Sequence, residues 1–320
     1  MAEQTWKCFL DVRGGVVLST TIDKYCYVNV RHLPRFFEYK NLITYSKIEK
    51  VMDIEEIQHP AVREAMKFLD MHELILSYNA DLPARTGLGS SSSFAVGMLN
   101  AFYTLKGKYV DKKRLADEAI YLERTLCNEK GGWQDQIAAS YGGFNRIDFS
   151  SNGYKVSPII ISPDRKKVLN ESLMMFFTGF SRYSFDIQNR TEEKIDKKIS
   201  TLDEIKDLAY EAEKILVNKS RSINEFGELL DLTWKLKKKL GEGISSDSID
   251  AMYETGKAAG ALGGKLLGAG GGGFLLFYVP IEKKESVYNA LKNYLYVPFK
   301  FESTGTDVIY YSPEEYSFEK

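Results

Sequence analysis

The chain has 320 residues, of which 44% are hydrophobic and 27% charged, with a formal net charge of −1. That size accommodates two globular domains, and the near-neutral charge argues against nucleic acid as a partner, since a basic face is its usual footprint. Three scattered cysteines and three histidines give no metal or redox spacing, and with no leader-like or membrane-length apolar run a cytoplasmic protein without membrane contact is expected.

In chain order, residues 16–22 and 24–30 are predicted strands, rich in β-branched and aromatic residues; in the second, Tyr25, Tyr27 and Asn29 alternate with Cys26, Val28 and Val30. Residues 41–46 are a further strand candidate. Pro60 suits a helix start, and Val62, Met66 and Leu69 give residues 61–71 a helical spacing. A strand over 74–78 then leads into a loop, and Asp111 is placed to cap a helix bearing Leu115, Ala119, Leu122 and Leu126 on one face. Near 157–164 the chain turns proline- and serine-containing and then charged, which sets a domain boundary giving 1–163 and 164–320.

The second half opens on a buried strand over 173–177. Helical spacing follows from Ile195 to Ile215 and from Phe226 to Leu236, and Ser246 begins a third helix whose small residues Gly256, Ala259 and Gly260 allow close packing. A buried strand over 274–279, a helix over 282–294 and a last strand over 308–311 complete the pattern. Strands and helices in separate clusters make this an α+β protein.

Residues 82–93 read L-P-A-R-T-G-L-G-S-S-S-S and run into the apolar stretch beginning at Phe94. A loop of this kind feeding a helix start suits phosphate: the first N–H groups are free, the dipole is positive there, and Gly87 and Gly89 permit close backbone approach. The alternative is a serine-capped helix after a turn. A second glycine-rich stretch, residues 268–273, holds five glycines in six positions, too many for regular structure and better suited to main chain lying close to another backbone or a substrate.

The first loop resembles the central motif of the GHMP kinases, the family of galactokinase, homoserine kinase, mevalonate kinase and phosphomevalonate kinase. Pro83, Gly87, Leu88, Gly89, Ser90 and Ser91 match it, and the later glycine run matches the second family signature. With the segment G-G-W-Q-D-Q over 131–136, the wording looks most like the heptose 7-phosphate kinase branch. The resemblance implies an N-terminal β-α-β ribosomal-protein-like domain, a C-terminal ferredoxin-like domain and an active site in the groove between them. It implies an ATP- and Mg²⁺-dependent kinase acting on a sugar or sugar phosphate, with the anomeric hydroxyl of a heptose 7-phosphate as acceptor; a fucose- or galactose-type acceptor is the alternative.

Asp135 occupies the position of the family's catalytic base; read alone, it is equally a cap for a helix over 136–140. Glu123, followed by Arg124, reads alone as a solvated surface pair. The resemblance instead makes Glu123 a Mg²⁺ ligand together with Ser91, with Ser90 and Ser92 as neighbouring choices. Ser90, Ser91, Ser92, Gly270, Gly271 and Gly272 join Pro83, Gly87, Leu88 and Gly89 as nucleotide-binding residues by the same implication. Arg85 and Arg182 are substrate-binding candidates because guanidinium forks suit phosphate, and each reads equally as an ordinary surface arginine. One departure stands out. The branch carries an R-I-S-F-x-G-G-G-T-D strand and loop ahead of the part that begins here near Gly14, and this chain has no such segment. Either its start lies upstream, or the chain is shortened, with an exposed strand edge and weak activity or mere nucleotide or sugar binding.

Overall fold

The computed structural model describes residues 14–84, 86–179 and 199–312. Strands β1 (Gly15–Ile22) and β2 (Cys26–His32) are followed by a hairpin, β3 (Asn41–Thr44) and β4 (Ile48–Val51). Helix α1 (Pro60–Phe68) starts on its proline, as its fixed φ and missing N–H favour. Then come β5 (Leu74–Ala80) and α2 (Ser90–Leu105). Helix α3 (Lys112–Tyr121) is capped by Asp111, whose carboxylate accepts from the Arg114 N–H at 2.9 Å, and it runs on into a π-helical turn, Leu122–Leu126. Helix α4 (Gln134–Tyr141) and the hairpin β6 (Phe144–Ser150) and β7 (Gly153–Pro158) complete the first half.

The N-terminal strands form two sheets. One has the order β2-β5-β3-β4, with β3 and β5 parallel; the other comprises β1, β6 and β7 in that order. Leu74, Ile75 and Leu76 of β5 are all buried, the signature of a strand covered on both faces. Helix α2 buries Phe94, Ala95, Val96, Met98, Leu99 and Phe102 against α1, α3 and this sheet. Each such large side chain contributes about 1.5–3 kcal/mol on full burial, so the start of α2 is held on a rigid base.

Helix α5 (Pro163–Ser172) and β8 (Leu173–Phe177) open the second half. Three helices follow: α6 (Ile199–Val217), α7 (Asn224–Lys239) and α8 (Asp247–Ala258), the last capped by Ser246. β9 (Gly263–Leu266), β10 (Phe274–Tyr278), the short helix α9 (Lys284–Ala290) and β11 (Leu295–Tyr296) complete a sheet of order β11-β8-β10-β9, antiparallel throughout. The first strand thus lies between the fourth and the third, the ferredoxin-like arrangement.

After β11 the chain returns to the other half. β12 (Phe301–Glu302) pairs with the end of β1, Thr21 opposite Glu302 and Ile22 opposite Phe301. Leu18, Phe144, Phe299 and Phe301 pack with Leu169, Leu173, Leu216, Leu230 and Tyr278. Arg146 of β6 bonds Glu213 of α6 at 2.7 Å and Asp148 at 2.9 Å, tying the β1 sheet to the second half.

Two expected elements differ. Residues 308–311 form no strand; Ile309 and Tyr310 are 84% and 81% exposed, so their β-branched and aromatic character finds no partner. The helix expected over 282–294 is a 3-10 turn, Ile281–Lys283, followed by α9, and only Val287 of α9 is buried. β3 falls within the strand expected over 41–46, whereas β4 and the β6–β7 hairpin were not anticipated, although β6 alternates buried and half-buried residues. The expectation for the chain ahead of Gly14 lies outside the described residues.

Candidate active site

The phosphate-type loop follows β5 and ends on Gly89, the residue that caps α2 in a left-handed conformation, φ 71°. None of the four serines is the N-cap, and no side chain caps this helix. The first N–H groups of α2 are therefore free of a side-chain competitor, and the dipole there favours negative charge. The turn itself is fixed by Thr86, buried, whose hydroxyl donates to the Pro83 carbonyl at 2.9 Å.

Glu123 sits in the π-helical turn and is 1% exposed. Ser91 Oγ donates to its Oε1 at 2.9 Å, Ser92 Oγ donates to its Oε2 at 2.9 Å, and the Gln136 amide also donates to Oε2. Glu123 is thus no surface pair with Arg124, whose guanidinium instead donates to the carbonyls of Gly132, Glu129 and Lys130. That bracing fixes the loop ahead of α4. A π-helical turn adds a residue to the helix and re-aims its side chains, which delivers Glu123 inward. Of the loop serines, Ser92 is buried behind the carboxylate, while Ser91 is exposed and still reaches it. One carboxylate and one hydroxyl oxygen side by side suit a hard cation that keeps most of its other ligands as water or phosphate, so the donor set fits Mg²⁺. Burial, reinforced by the negative charge of Glu123, raises the pKa of Glu129.

Asp135 lies in the first turn of α4, whose N-cap is Trp133, so it does not cap the helix. Its carboxylate is exposed and makes no hydrogen bond among the described residues, and it lies against Gly89: a Cβ at 89 would sit 3.3 Å from Asp135 Cβ and 3.4 Å from its carboxyl carbon. The next residue, Gln136, faces Glu123. One short helix therefore aims one acid into the groove and braces a second.

The glycine run meets the phosphate-type loop backbone to backbone. A Cβ on Gly268 would lie 2.4 Å from Gly87 Cα, and one on Gly87 would lie 2.5 Å from the Leu267 carbonyl oxygen. Gly270 and Gly271 turn instead toward Ile244, whose carbonyl accepts from the Gly271 N–H at 3.1 Å. Two side chains hold the run in place. The Lys237 ammonium donates to the Gly268 carbonyl, and Thr178 bonds Gly273 through its N–H at 2.9 Å and its hydroxyl at 3.0 Å. Arg85 and Arg182 lie outside the described residues.

A cavity of about 410 Å³ opens beside these groups, lined by β1, the loop over 87–90, Asp135, and apolar side chains of the second half such as Leu173, Met175 and Phe299. Cys26 also lines it, and burial pushes its thiol up to about 11, so it is a neutral wall residue.

Two family descriptions match the chain: GHMP kinases N terminal domain over residues 55–143, and GHMP kinases C terminal over residues 208–297. The chain belongs to the GHMP kinases. The D-glycero-alpha-D-manno-heptose 7-phosphate kinase of Campylobacter jejuni is 31% identical over 220 residues, 67% of this chain and 63% of that protein, so the match spans less than two thirds of the relative. The L-fucokinase/L-fucose-1-P guanylyltransferase of Bacteroides fragilis is 29% identical over 204 residues, 61% of this chain and 21% of that protein. Among solved structures, a D-glycero-D-manno-heptose 1-phosphate kinase from Bacteroides thetaiotaomicron shares the fold, with TM-score 0.73 at 24% identity over 93% of this chain and 90% of that one. No helix among the described residues is long and apolar enough to cross a membrane.

Proposed function

We propose that this chain transfers the γ-phosphoryl group of ATP to a hydroxyl of a sugar phosphate, with the anomeric hydroxyl of a heptose 7-phosphate as the leading acceptor. One observation carries the reading: the Asp135 carboxylate stands against the N-cap of α2, with Glu123 paired to Ser91, the second residue of that helix. A base and an anion-attracting helix start thus line one cavity, and the hard-cation donor pair sits on the first turn of that same helix. Phosphoryl transfer rests mainly on such positioning and charge stabilisation.

In this scheme the loop over 87–91 and the glycine run 268–273 form the nucleotide side, with Gly268 closing against Gly87. Glu123 and Ser91 hold Mg²⁺, which supplies neutralisation of the phosphate charge when bound. Asp135 receives the proton of the attacking hydroxyl; an anomeric hydroxyl is more acidic than an ordinary alcohol, so one carboxylate suffices. The Campylobacter jejuni relative supports the heptose acceptor. A neutral sugar of the fucose type is the second reading, supported by the fucokinase relatives.

Incubation with ATP, Mg²⁺ and a panel of heptose, hexose and fucose acceptors, with and without phosphate, tests the reading through ADP release and phosphorus NMR of the product. Turnover of a heptose 7-phosphate to a 1,7-bisphosphate is expected. Turnover of fucose or galactose alone removes the acceptor assignment and leaves the kinase; no turnover of any acceptor by folded protein removes both.

A further inference from the structure

The turn between β1 and β2 carries Lys24, half-buried, in the wall of the cavity that holds Asp135. The same side chain lines an adjoining recess with Asp81, Leu82, Phe177 and Val297. Lys24 therefore stands at the neck between two hollows.

The turn is clamped on both sides of this lysine. Asp23 donates its N–H to the Lys300 carbonyl at 2.9 Å and accepts from the Lys300 N–H at 2.7 Å. Tyr25 donates its N–H to Asp81 at 2.8 Å and its hydroxyl to Glu302 at 2.7 Å. The Lys24 ammonium itself makes only two long contacts among the described residues, to the Asp23 carbonyl at 3.2 Å and its carboxylate at 3.4 Å. That carboxylate already serves the Lys300 N–H. A fixed backbone thus presents a weakly engaged cation to a largely apolar groove.

The only charged side chains among the described residues that line the cavity beside Asp135 are Lys24, Asp135 itself and Lys265. A sugar phosphate whose hydroxyl meets Asp135 brings a second anionic group into the same low-dielectric space, where an unpaired charge is costly. Nucleotide phosphates have the start of α2. The acceptor's own phosphate needs a separate cation, and of the two lysines in the lining Lys24 alone also borders the adjoining recess.

We propose that Lys24 binds the phosphate of the acceptor and so selects phosphorylated over neutral sugars. This rests on the kinase reading given above and deepens it by assigning the acceptor's charged end. Lysine suits the task as a compact point charge with three donors.

The test is calorimetric binding to protein saturated with a non-hydrolysable ATP analogue, using heptose 7-phosphate and free heptose, for wild type, Lys24→Met and Lys24→Arg. Lys24→Met is expected to weaken the sugar phosphate about 10- to 100-fold, the loss typical of one charge-assisted contact, with free heptose and the nucleotide analogue unchanged. Lys24→Arg keeps most of the affinity and shows that the turn still folds. Equal weakening of both sugars, weakening of the nucleotide analogue, or no weakening overturns the assignment. Wild-type turnover separates the two claims. A protein that phosphorylates neutral sugars and binds no sugar phosphate loses the role of Lys24 and keeps its kinase activity. One that turns over heptose 7-phosphate with Lys24→Met unaffected loses only the role of Lys24.

Discussion

Ser91 and Glu123, 32 positions apart in sequence, meet at 2.9 Å, the serine hydroxyl donating to a carboxylate that is 1% exposed. A bare buried carboxylate is costly, and this one is satisfied by Ser91, Ser92 and Gln136 rather than by a close cation; Arg124 is 4.0 Å away. Glu123→Gln sets an amide N–H₂ against these donors and is expected to cost about 1–3 kcal/mol of stability, read by denaturant unfolding. In the same protein the Mg²⁺ concentration for half-maximal activity should rise. Ser91→Ala should share the Mg²⁺ effect with a smaller stability loss. Unchanged Mg²⁺ dependence in both variants would make the pair purely structural.

The contact between Gly87 and Gly268 leaves no room for a methyl group. Gly268→Ala places a Cβ 2.4 Å from Gly87 Cα, so the two loops must separate. A loss of about 1–3 kcal/mol is expected from overpacking, on top of the left-handed strain that its φ of +78° imposes on alanine, together with a raised KM for ATP. Gly243 is the control, since it has φ +84° and no atom of the described residues within 4 Å of its Cβ site. Gly243→Ala should cost only the left-handed strain of about 1–2 kcal/mol and leave KM unchanged. Equal KM effects in the two variants would contradict loop closure as the cause.

His59 gives a pH dependence of stability. It precedes α1, packs against Tyr45 and Phe94 with ring centroids 5.0 and 5.3 Å away, and has a buried Nδ1 with no hydrogen-bond partner among the described residues. Burial holds its pKa below the ordinary imidazole value. The unfolded chain then binds a proton near pH 6.5 that the folded chain does not, so stability falls as pH drops below about 6.5, by at most about 1.4 kcal/mol per pH unit. His59→Phe should flatten that part of the stability curve measured by urea unfolding between pH 5 and 8, and an unaltered slope would exclude His59 as its source.

Much of this was legible in sequence because period and motif agreed. The strand leading to the loop, the helix after it and the β8 and β10 strands were apolar runs with clear bounds. The glycine run announced backbone packing through composition alone, although Gly268 and Gly273, rather than Gly270 or Gly271, proved to be the residues against the first loop. The inward turn of Glu123 was not legible: a π-helical turn has no period of its own, and Glu-Arg reads as a surface pair on any regular helix. The role of Gln136 was hidden for a related reason, since only the docking of α4 on α3 brings it to Glu123. Lys24 was invisible as a candidate because one lysine after a strand carries no pattern.

The catalytic proposal turns on one carboxylate, and Asp135→Asn tests it most directly. The change keeps the side-chain size against Gly89 and removes the proton acceptor. With ATP, Mg²⁺ and the acceptor identified by turnover, kcat is expected to fall about 100-fold or more for lost general-base catalysis, while the dissociation constant for ATP stays as in the wild type. A folded Asp135→Asn protein with near-wild-type kcat would contradict the assignment and leave transfer to positioning and charge stabilisation alone.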